Sequence, residues 1–291
     1  MAYMSASQLK SFRRCEAAAL AELNGEYSPT PTKALLLGSF VDAYFSGELN
    51  EFIEAHPEIR KKDGTLTKDF EKAWADAVRL DSDELAHALL AGRHQVIKTG
   101  TITNIPFKCK IDSLLTPVQV KAICSRFPAV KRLVPFGGGM IVDLKYMGSI
   151  QSVWNEETQC RISYIQYWGY DIQGAIYQKL EGTAAPFILV GATKEAETNI
   201  FAHWVPDADL DGAMADVEAL APRYQAIKEG LIVPTRCGKC PYCRRTHHLV
   251  GADLQAALYN NHGALLEIGG DELGGFAPCG AVDEVHFSGA G

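Results

Sequence analysis

Apolar residues at helical spacing dominate the N-terminal third of the chain. Ser5 and Gln8 match a capping box, and the apolar positions behind them predict a first helix that continues through Cys15. A second helix is predicted over Lys33 to Phe45. Residues 49–92 are charged and carry apolar positions every four residues, so we expect a mainly helical segment there.

The pattern then changes to the alternation that is typical of strands. Gln95 to Ile102 and Ile105 to Leu115 are predicted to form a hairpin with Thr103 and Asn104 at its turn. Met140 to Met147 is predicted as a third strand. The other predicted elements are helices over Val118 to Phe127, Ile162 to Leu180 and Asp207 to Glu229, the last kinked or broken near Pro222, and strands over Phe187 to Gly191 and Ile200 to Trp204.

The composition is that of a globular protein. The chain has 291 residues, 47% of them hydrophobic, which is enough to bury a core. No apolar run approaches the length of a membrane span, and the N-terminus lacks a signal-peptide pattern, so we expect a cytoplasmic protein without membrane association. The net charge of −7 argues weakly against a protein that only coats DNA. It is compatible with acidic metal ligands beside a local basic groove.

One acid-x-Lys triplet, Asp143-Leu144-Lys145, lies in the apolar strand predicted over Met140 to Met147, and it is the only such triplet in the chain. Alternation along the strand places Asp143 and Lys145 on the same face. A buried strand rarely carries two charges unless they are paired or functional. By itself, however, the triplet is explained as well by a surface ion pair on an edge strand.

A second carboxylate lies in the preceding predicted strand, at Asp112. Two carboxylates from neighbouring strands provide the oxygen ligands that Mg²⁺ prefers. A bound metal lowers the pKa of an attacking water, and a nearby lysine such as Lys145 stabilises the charged transition state. Together, Asp112, Asp143 and Lys145 indicate a metal-dependent nuclease.

These residues resemble the PD-(D/E)XK nuclease superfamily, in particular RecB-like and phage RecE-like exonucleases of the exodeoxyribonuclease VIII type. The similarity spans most of residues 4–245, and its segments are Ser5 to Cys15, Leu37 to Phe45, Lys110-Ile111-Asp112, Val142 to Lys145, and Gln173 to Tyr177. The resemblance implies a restriction-endonuclease-like α/β core, with a mixed β-sheet flanked by helices. We expect a nuclease domain over residues 1–250 with a helical insertion at about 49–92. The Gly-rich tail, 251–291, is expected to be poorly ordered.

The resemblance also implies roles for individual residues. Asp112, Asp143 and the main-chain carbonyl of Leu144 would bind Mg²⁺ or Mn²⁺, and Lys145 would assist the attacking water. Relatives often carry a metal-binding histidine on the second helix, where this chain has Asp42. Asp42 is either a further ligand or an exposed helix residue, and the sequence favours neither.

Gln173 and Tyr177 match the Q-x-x-x-Y helix of the RecB-like branch. They are four residues apart and therefore share a helix face. Alone, the pair is explained by an ordinary surface glutamine and core tyrosine. Beside the acidic strands, it indicates residues that position DNA or Lys145.

Three cysteines, Cys237, Cys240 and Cys243, are separated by two residues each. Thiolates at this spacing can bind one metal ion or cluster. The RecB-like branch includes members whose [4Fe–4S] cluster is completed by a cysteine near the N-terminus, and the resemblance points to Cys15 here. The alternative is Zn²⁺, with Cys15, His247 or His248 as the fourth ligand.

These observations predict an exonuclease on linear DNA that acts in phage or bacterial recombination or repair, beside a single-strand annealing protein. The alternatives are a catalytically inactive DNA-binding protein of the same fold and a zinc-stabilised interaction protein. The intact Asp112, Asp143 and Lys145 set argues against both.

Overall fold

The computed structural model describes residues 3–133, 138–156 and 158–248, together with 257–259 and 265–267. Helix α1 covers Ala6–Arg14, and the hydroxyl of Ser5 accepts a hydrogen bond from the Gln8 amide at 3.3 Å, which is one half of the predicted capping box. The other half is not formed, because the buried Oε1 of Gln8 has no hydrogen-bond partner among the described residues. Helix α2 covers Glu16–Leu23. Cys15 lies between them in extended backbone (φ −166°, ψ 111°), so the prediction of one continuous helix through Cys15 was wrong.

Residues 33–90 are mainly helical, as their pattern predicted. This segment contains α3 (Lys33–Ser46), α4 (Leu49–Ala55), a short 3₁₀ turn (Pro57–Ile59), α5 (Lys68–Asp81) and α6 (Glu84–Leu90). The next helix, α7, covers Pro117–Arg126. Its first turn is fixed by a capping box between Thr116 and Gln119.

Five strands form one mixed sheet in the order β1-β2-β3-β6-β7. They are β1 (Arg93–Ile102), β2 (Ile105–Leu115), β3 (Met140–Met147), β6 (Phe187–Thr193) and β7 (Ile200–Val205). Only the β3–β6 pair is parallel among these neighbours. Thr103 and Asn104 form the β1–β2 turn with φ angles of 48° and 64°, the left-handed values that tight hairpins require.

Helices cover both faces of this sheet. On one face, Ile141 and Phe187 belong to an apolar core shared with α1, α9 (Tyr170–Glu181) and α10 (Asp207–Lys228). Helix α10 continues through Pro222, so the helix is not broken there. On the other face, Val142 and Ile188 pack with apolar residues of α3, α5 and α6. This mixed sheet between helical layers confirms the predicted α/β fold class.

The segment between β3 and α9 differs from the prediction. It contains a small hairpin of β4 (Val153–Asn155) and β5 (Cys160–Ile162) and a short helix, α8 (Tyr164–Tyr167). The predicted helix over Ile162 to Leu180 is broken at Gly169, which has a φ of 63°. A Cβ at Gly169 would lie 2.8 Å from Cδ of Lys10, so a side chain at this position would require the Lys10 side chain to move.

The chain separates into a unit of Met1–Cys240 and a unit that begins at Pro241. The second unit contains helix α11 (Pro241–Arg245) and a hairpin of β8 (Ala257–Tyr259) and β9 (Leu265–Glu267). The rest of the expected Gly-rich tail lies outside the described residues. No helix in the described part of the chain is long and apolar enough to cross a membrane.

Candidate active site

The two strand carboxylates, Asp112 and Asp143, lie on the neighbouring strands β2 and β3. The main-chain amide of Leu144 donates a hydrogen bond to Oδ2 of Asp112 at 3.0 Å. Asp143 is 1% exposed, whereas Asp112 is half-buried. The sheet thus brings together Asp112, Asp143 and the backbone of Leu144, the three proposed metal-ligand positions.

Lys145 forms an ion pair with Oδ2 of Asp143, and its Nζ donates to the carbonyl of Leu144 at 3.2 Å. Burial by itself lowers the pKa of Lys145, but the carboxylates of Asp143 and Asp112 together have a larger, opposite effect and raise the pKa. The net shift is upward, so Lys145 keeps its positive charge inside the site.

The carboxylates of the site destabilise one another's charges. Burial raises the pKa of Asp112 to about 8, with a further contribution from the Asp143 charge. Asp42 on α3 faces solvent at the site, and crowding by surrounding protein raises its pKa to about 6, although Lys145 opposes the shift. A divalent cation would relieve this repulsion, and carboxylate and carbonyl oxygens suit Mg²⁺. The residues present therefore fit such an ion.

Gln173 and Tyr177 lie one turn apart on α9, on the side that faces β3. Nε2 of Gln173 is 2.6 Å from Oδ1 of Asp143 and 3.0 Å from the Tyr177 hydroxyl. Helix α9 approaches the sheet closely because residue 174 is glycine: a Cβ there would lie 2.4 Å from the ring of Phe187. This close approach lets Gln173 reach the buried Asp143.

Lys10 is a site residue to which the sequence reasoning gave no role. Its Nζ donates to Oε1 of Gln173 at 3.3 Å and lies 5.4 Å from the centre of the Tyr170 ring. The Nζ of Lys145 lies 5.1 Å from the same ring. Burial and the nearby Lys145 charge lower the pKa of Lys10 to about 8. A single lysine on an amphipathic helix gave no sequence signal for this position.

Gln95 is a second residue that the sequence did not indicate. It lies opposite Asp112, at the one gap in the regular β1–β2 pairing, with a φ of 52°. Its buried Oε1 accepts no hydrogen bond from the residues that the structure describes. Gln95 lines a cavity of about 460 Å³ together with Asp42 and Lys110. Strained, unsatisfied polar residues of this kind concentrate at functional sites.

The four predicted cysteines lie close together. The Sγ atoms of Cys15, Cys237, Cys240 and Cys243 are all within 4.8 Å of one another, and His247 and His248 are not part of this group. Burial raises the pKa of the Cys237 thiol, but amide donors at Cys240 and Lys239 and the neighbouring thiols outweigh it and bring the pKa to about 6. Four convergent sulfur atoms fit a tetrahedral metal ion or an iron–sulfur cluster.

A polar network joins the two chain segments that carry Cys15 and Cys237. Glu16 is 8% exposed and accepts hydrogen bonds from Arg223 at 2.7 and 2.8 Å. The backbone amide and hydroxyl of Thr235 also donate to Glu16, at 2.8 and 2.7 Å. The hydrogen bond from Arg223 is the largest cause that lowers the pKa of Glu16, to about 2. The network therefore fixes the N-terminal segment against the loop after α10.

Comparisons with known proteins agree with this architecture. The chain superposes on the crystal structure of a Eubacterium rectale protein that is named, provisionally, an exonuclease, with a TM-score of 0.73. The two sequences are 35% identical, and the match covers 85% of this chain and 89% of the other. No curated protein matches the chain.

A family model gives the more specific result. The model of a PDDEXK-like domain of unknown function (DUF3799) matches residues 5–122 and 135–246. These ranges contain the strand residues Asp112, Asp143 and Lys145 and the four clustered cysteines. The chain belongs to this family of PDDEXK-like domains.

Proposed function

We propose that the protein is a Mg²⁺-dependent deoxyribonuclease that hydrolyses the phosphodiester bonds of linear DNA as an exonuclease. The observation that carries the proposal is the joining of Asp112, Asp143 and Lys145 by the backbone of Leu144. An ordinary structural ion pair would not need a second, strongly repelled carboxylate beside it. Membership of the PDDEXK-like family and the similarity to a protein named as an exonuclease support a nuclease.

In this proposal, Asp112, Asp143 and the carbonyl of Leu144 hold Mg²⁺ or Mn²⁺, with Asp42 as a further ligand. The ion, when bound, activates water and neutralises charge on the phosphate. Lys145 retains its charge because two carboxylates surround it, and it stabilises the negative charge that develops as water attacks. The buried position of Asp143 keeps competing water away from its carboxylate.

Gln173 and Tyr177 hold Asp143 in position. Gln173 donates to Oδ1 of Asp143 while Lys145 pairs with Oδ2, so both oxygens of the carboxylate are restrained. Tyr177 fixes the Gln173 amide in turn. Because burial raises the pKa of Tyr177, its hydroxyl stays protonated. The amide and hydroxyl therefore orient the carboxylate without adding charge to the site.

The four cysteines are proposed to bind a [4Fe–4S] cluster with a structural role. Ligand spacing and the convergence of the four sulfur atoms support a metal or cluster, and Zn²⁺ is the alternative occupant. Binding would join the break between α1 and α2 to the loop after α10. The free energy of cluster binding would then contribute to folding of the nuclease unit.

The proposed setting is DNA recombination or repair in a phage or bacterium, in the cytoplasm and beside a single-strand annealing protein. This setting rests on the resemblance to RecE-like exonucleases. A catalytically inactive DNA-binding protein and a zinc-stabilised interaction protein are the rival functions. Only the nuclease requires the site to turn over DNA.

Digestion of matched linear and closed circular DNA tests the proposal. Protein purified without air should degrade end-labelled linear DNA with Mg²⁺, leave closed circles intact and stop when the metal is chelated. The Asp143→Ala variant is the control for contaminating nucleases. Equal digestion by this variant, or no digestion by the folded wild type, would contradict the nuclease function. Cleavage of circles would contradict the exonuclease mode alone.

A further inference from the structure

Two neighbouring aromatic side chains, Tyr167 and Trp168, are exposed on the segment that leads into α9, the helix that carries Gln173. They are 43% and 52% exposed, and their ring centres are 4.9 Å apart with an interplanar angle of 87°. Large aromatic rings are usually buried on folding. Here the short α8 and the break at Gly169 hold both rings outside the core. They lie on the segment that connects β3 with α9, the elements that carry Asp143 and Gln173.

Contacts of the next two residues tie this aromatic pair to the active site. The backbone of Gly169 lies against the side chain of Lys10. The ring of Tyr170 lies within 5.4 Å of the Lys10 Nζ and 5.1 Å of the Lys145 Nζ. Trp168 is therefore two residues from a ring that contacts both lysines of the site.

Positive charge lies on helix α1, whose Lys10 side chain lies against Gly169, the residue that follows Trp168. Helix α1 carries Lys10, Arg13 and Arg14, and both arginines are exposed. Burial raises the pKa of Asp171, the residue after Tyr170, and the Arg13 charge opposes that shift. Burial lowers the pKa of Lys10, and the Arg14 charge adds to that shift. The chain as a whole has a net charge of −7, so this basic helix end differs from the average surface. Basic side chains close to a segment with exposed aromatic rings suit a phosphate backbone with accessible bases.

We propose that Tyr167 and Trp168 stack on unpaired bases, so that the site takes single-stranded DNA, including the single-stranded end of a duplex. The DNA backbone would then lie along Lys10 and Arg14 toward Asp143. The bases of an intact duplex are stacked on each other, and their faces are not available to these rings. The inference rests on the proposed nuclease function, because it names the form of DNA that reaches that site.

Binding measurements on an inactive protein test the stacking site. In an Asp143→Ala background, fluorescence anisotropy would compare a labelled oligothymidine with a blunt duplex of equal length. Trp168→Ala should weaken binding of the single strand about tenfold or more, since each stacked base contributes about that factor. It should change duplex binding far less. Trp168→Phe keeps a ring and should retain most of the affinity, which controls for loss of the α8 end.

The matched control is Trp74→Ala. Trp74 is 46% exposed, but it lies on α5, a helix that packs on the opposite face of the sheet from α9. Three results would overturn the stacking site. They are equal weakening of DNA binding by Trp168→Ala and Trp74→Ala, equal weakening of single-strand and duplex binding by Trp168→Ala, and no weakening of binding by Trp168→Ala at all. Sedimentation would also show whether Trp168→Ala loses self-association. If it does so while DNA binding is unchanged, the surface binds a second copy of the chain instead of DNA.

The result is separable from the nuclease proposal. If wild-type protein digests DNA but the Trp168 variants bind single strands normally, the nuclease stands and the stacking site fails. If single-strand binding depends on Trp168 but wild-type protein cleaves no DNA, the stacking site stands and the nuclease fails.

Discussion

The side-chain amide of Gln173 donates a 2.6 Å hydrogen bond to Asp143, joining helix α9 to the strand that it covers. Asp143 is almost fully buried, so this bond and the Lys145 ion pair determine the orientation of its carboxylate. A small displacement of a metal ligand is costly for catalysis, because reaction requires a narrow range of geometries. Gln173 is therefore expected to affect turnover more than stability.

Gln173→Ala should lower kcat about tenfold to hundredfold and shift the unfolding temperature only slightly. Steady-state digestion and thermal unfolding would measure the two effects. Gln178→Ala is the control, because Gln178 lies on the same helix but bonds to Ala185 and Asp207. A similar kcat loss in both variants would show that the helix, rather than the Gln173 contact, is responsible.

Asp143→Ala should abolish DNA cleavage, because it removes both a metal ligand and the partner of Lys145. Lys145→Ala should lower the rate about a hundredfold to a thousandfold, the usual effect of removing one group that stabilises transition-state charge. Single-turnover digestion at saturating Mg²⁺ would measure both. Activity close to that of the wild type in Asp143→Ala, with contaminating nucleases excluded, would refute the assigned centre.

Gln95→Gly should raise stability while it lowers activity. Glycine adopts a φ of 52° at little cost, whereas glutamine is strained there, so we expect a gain of about 1 kcal/mol in the free energy of unfolding. Loss of the amide in the Asp42 cavity should raise KM for DNA. Gln95→Ala removes the same amide but keeps the strain, so it should share the KM change without the added stability.

Cys15→Ala should lose the bound metal or cluster and destabilise the unit by more than about 4 kcal/mol, the scale of changes that remove a metal site. Iron, sulfide and zinc analysis, with thermal unfolding, would measure this. Cys124→Ala is the control, because Cys124 is outside the sulfur group. Full metal content in Cys15→Ala would exclude Cys15 as a ligand. If anaerobically purified wild-type protein is colourless and contains one equivalent of zinc, the occupant of the site is Zn²⁺ and not the proposed cluster.

Glu16→Gln should destabilise the protein by about 2 kcal/mol near neutral pH, because a buried charge-assisted hydrogen-bond network is lost. The pKa of Glu16 falls from an ordinary value of 4.5 to about 2 in the folded protein. Its contribution is therefore present above about pH 4.5 and is lost as the pH falls toward 2. Urea unfolding of wild type and variant should show a stability difference that narrows over this range. A constant difference would contradict the ionic role.

Local patterns determined the strands and most of the site. Alternation in Met140 to Met147 placed Asp143 and Lys145 on the same face of a strand. A four-residue spacing placed Gln173 and Tyr177 on the same face of a helix. The hairpin turn at Thr103 and Asn104 followed from the strand pattern on either side. These features depend on neighbours in the chain, so the sequence alone was sufficient to predict them. The roles of these residues in catalysis stay predictions.

Tertiary contacts decided where helices break and which distant residues meet. The helical pattern extends through Cys15, but the backbone is extended at Cys15 and the amide of Ala17 bonds to the carbonyl of Thr235. Lys10 and Gln95 reach the site only because α1 and β1 fold against α9 and β2. The closing of Cys15 on the Cys237 loop likewise joins segments more than two hundred residues apart. No local pattern predicts these long-range contacts, since the free energy that favours them comes from burial and hydrogen bonds between remote parts of the chain.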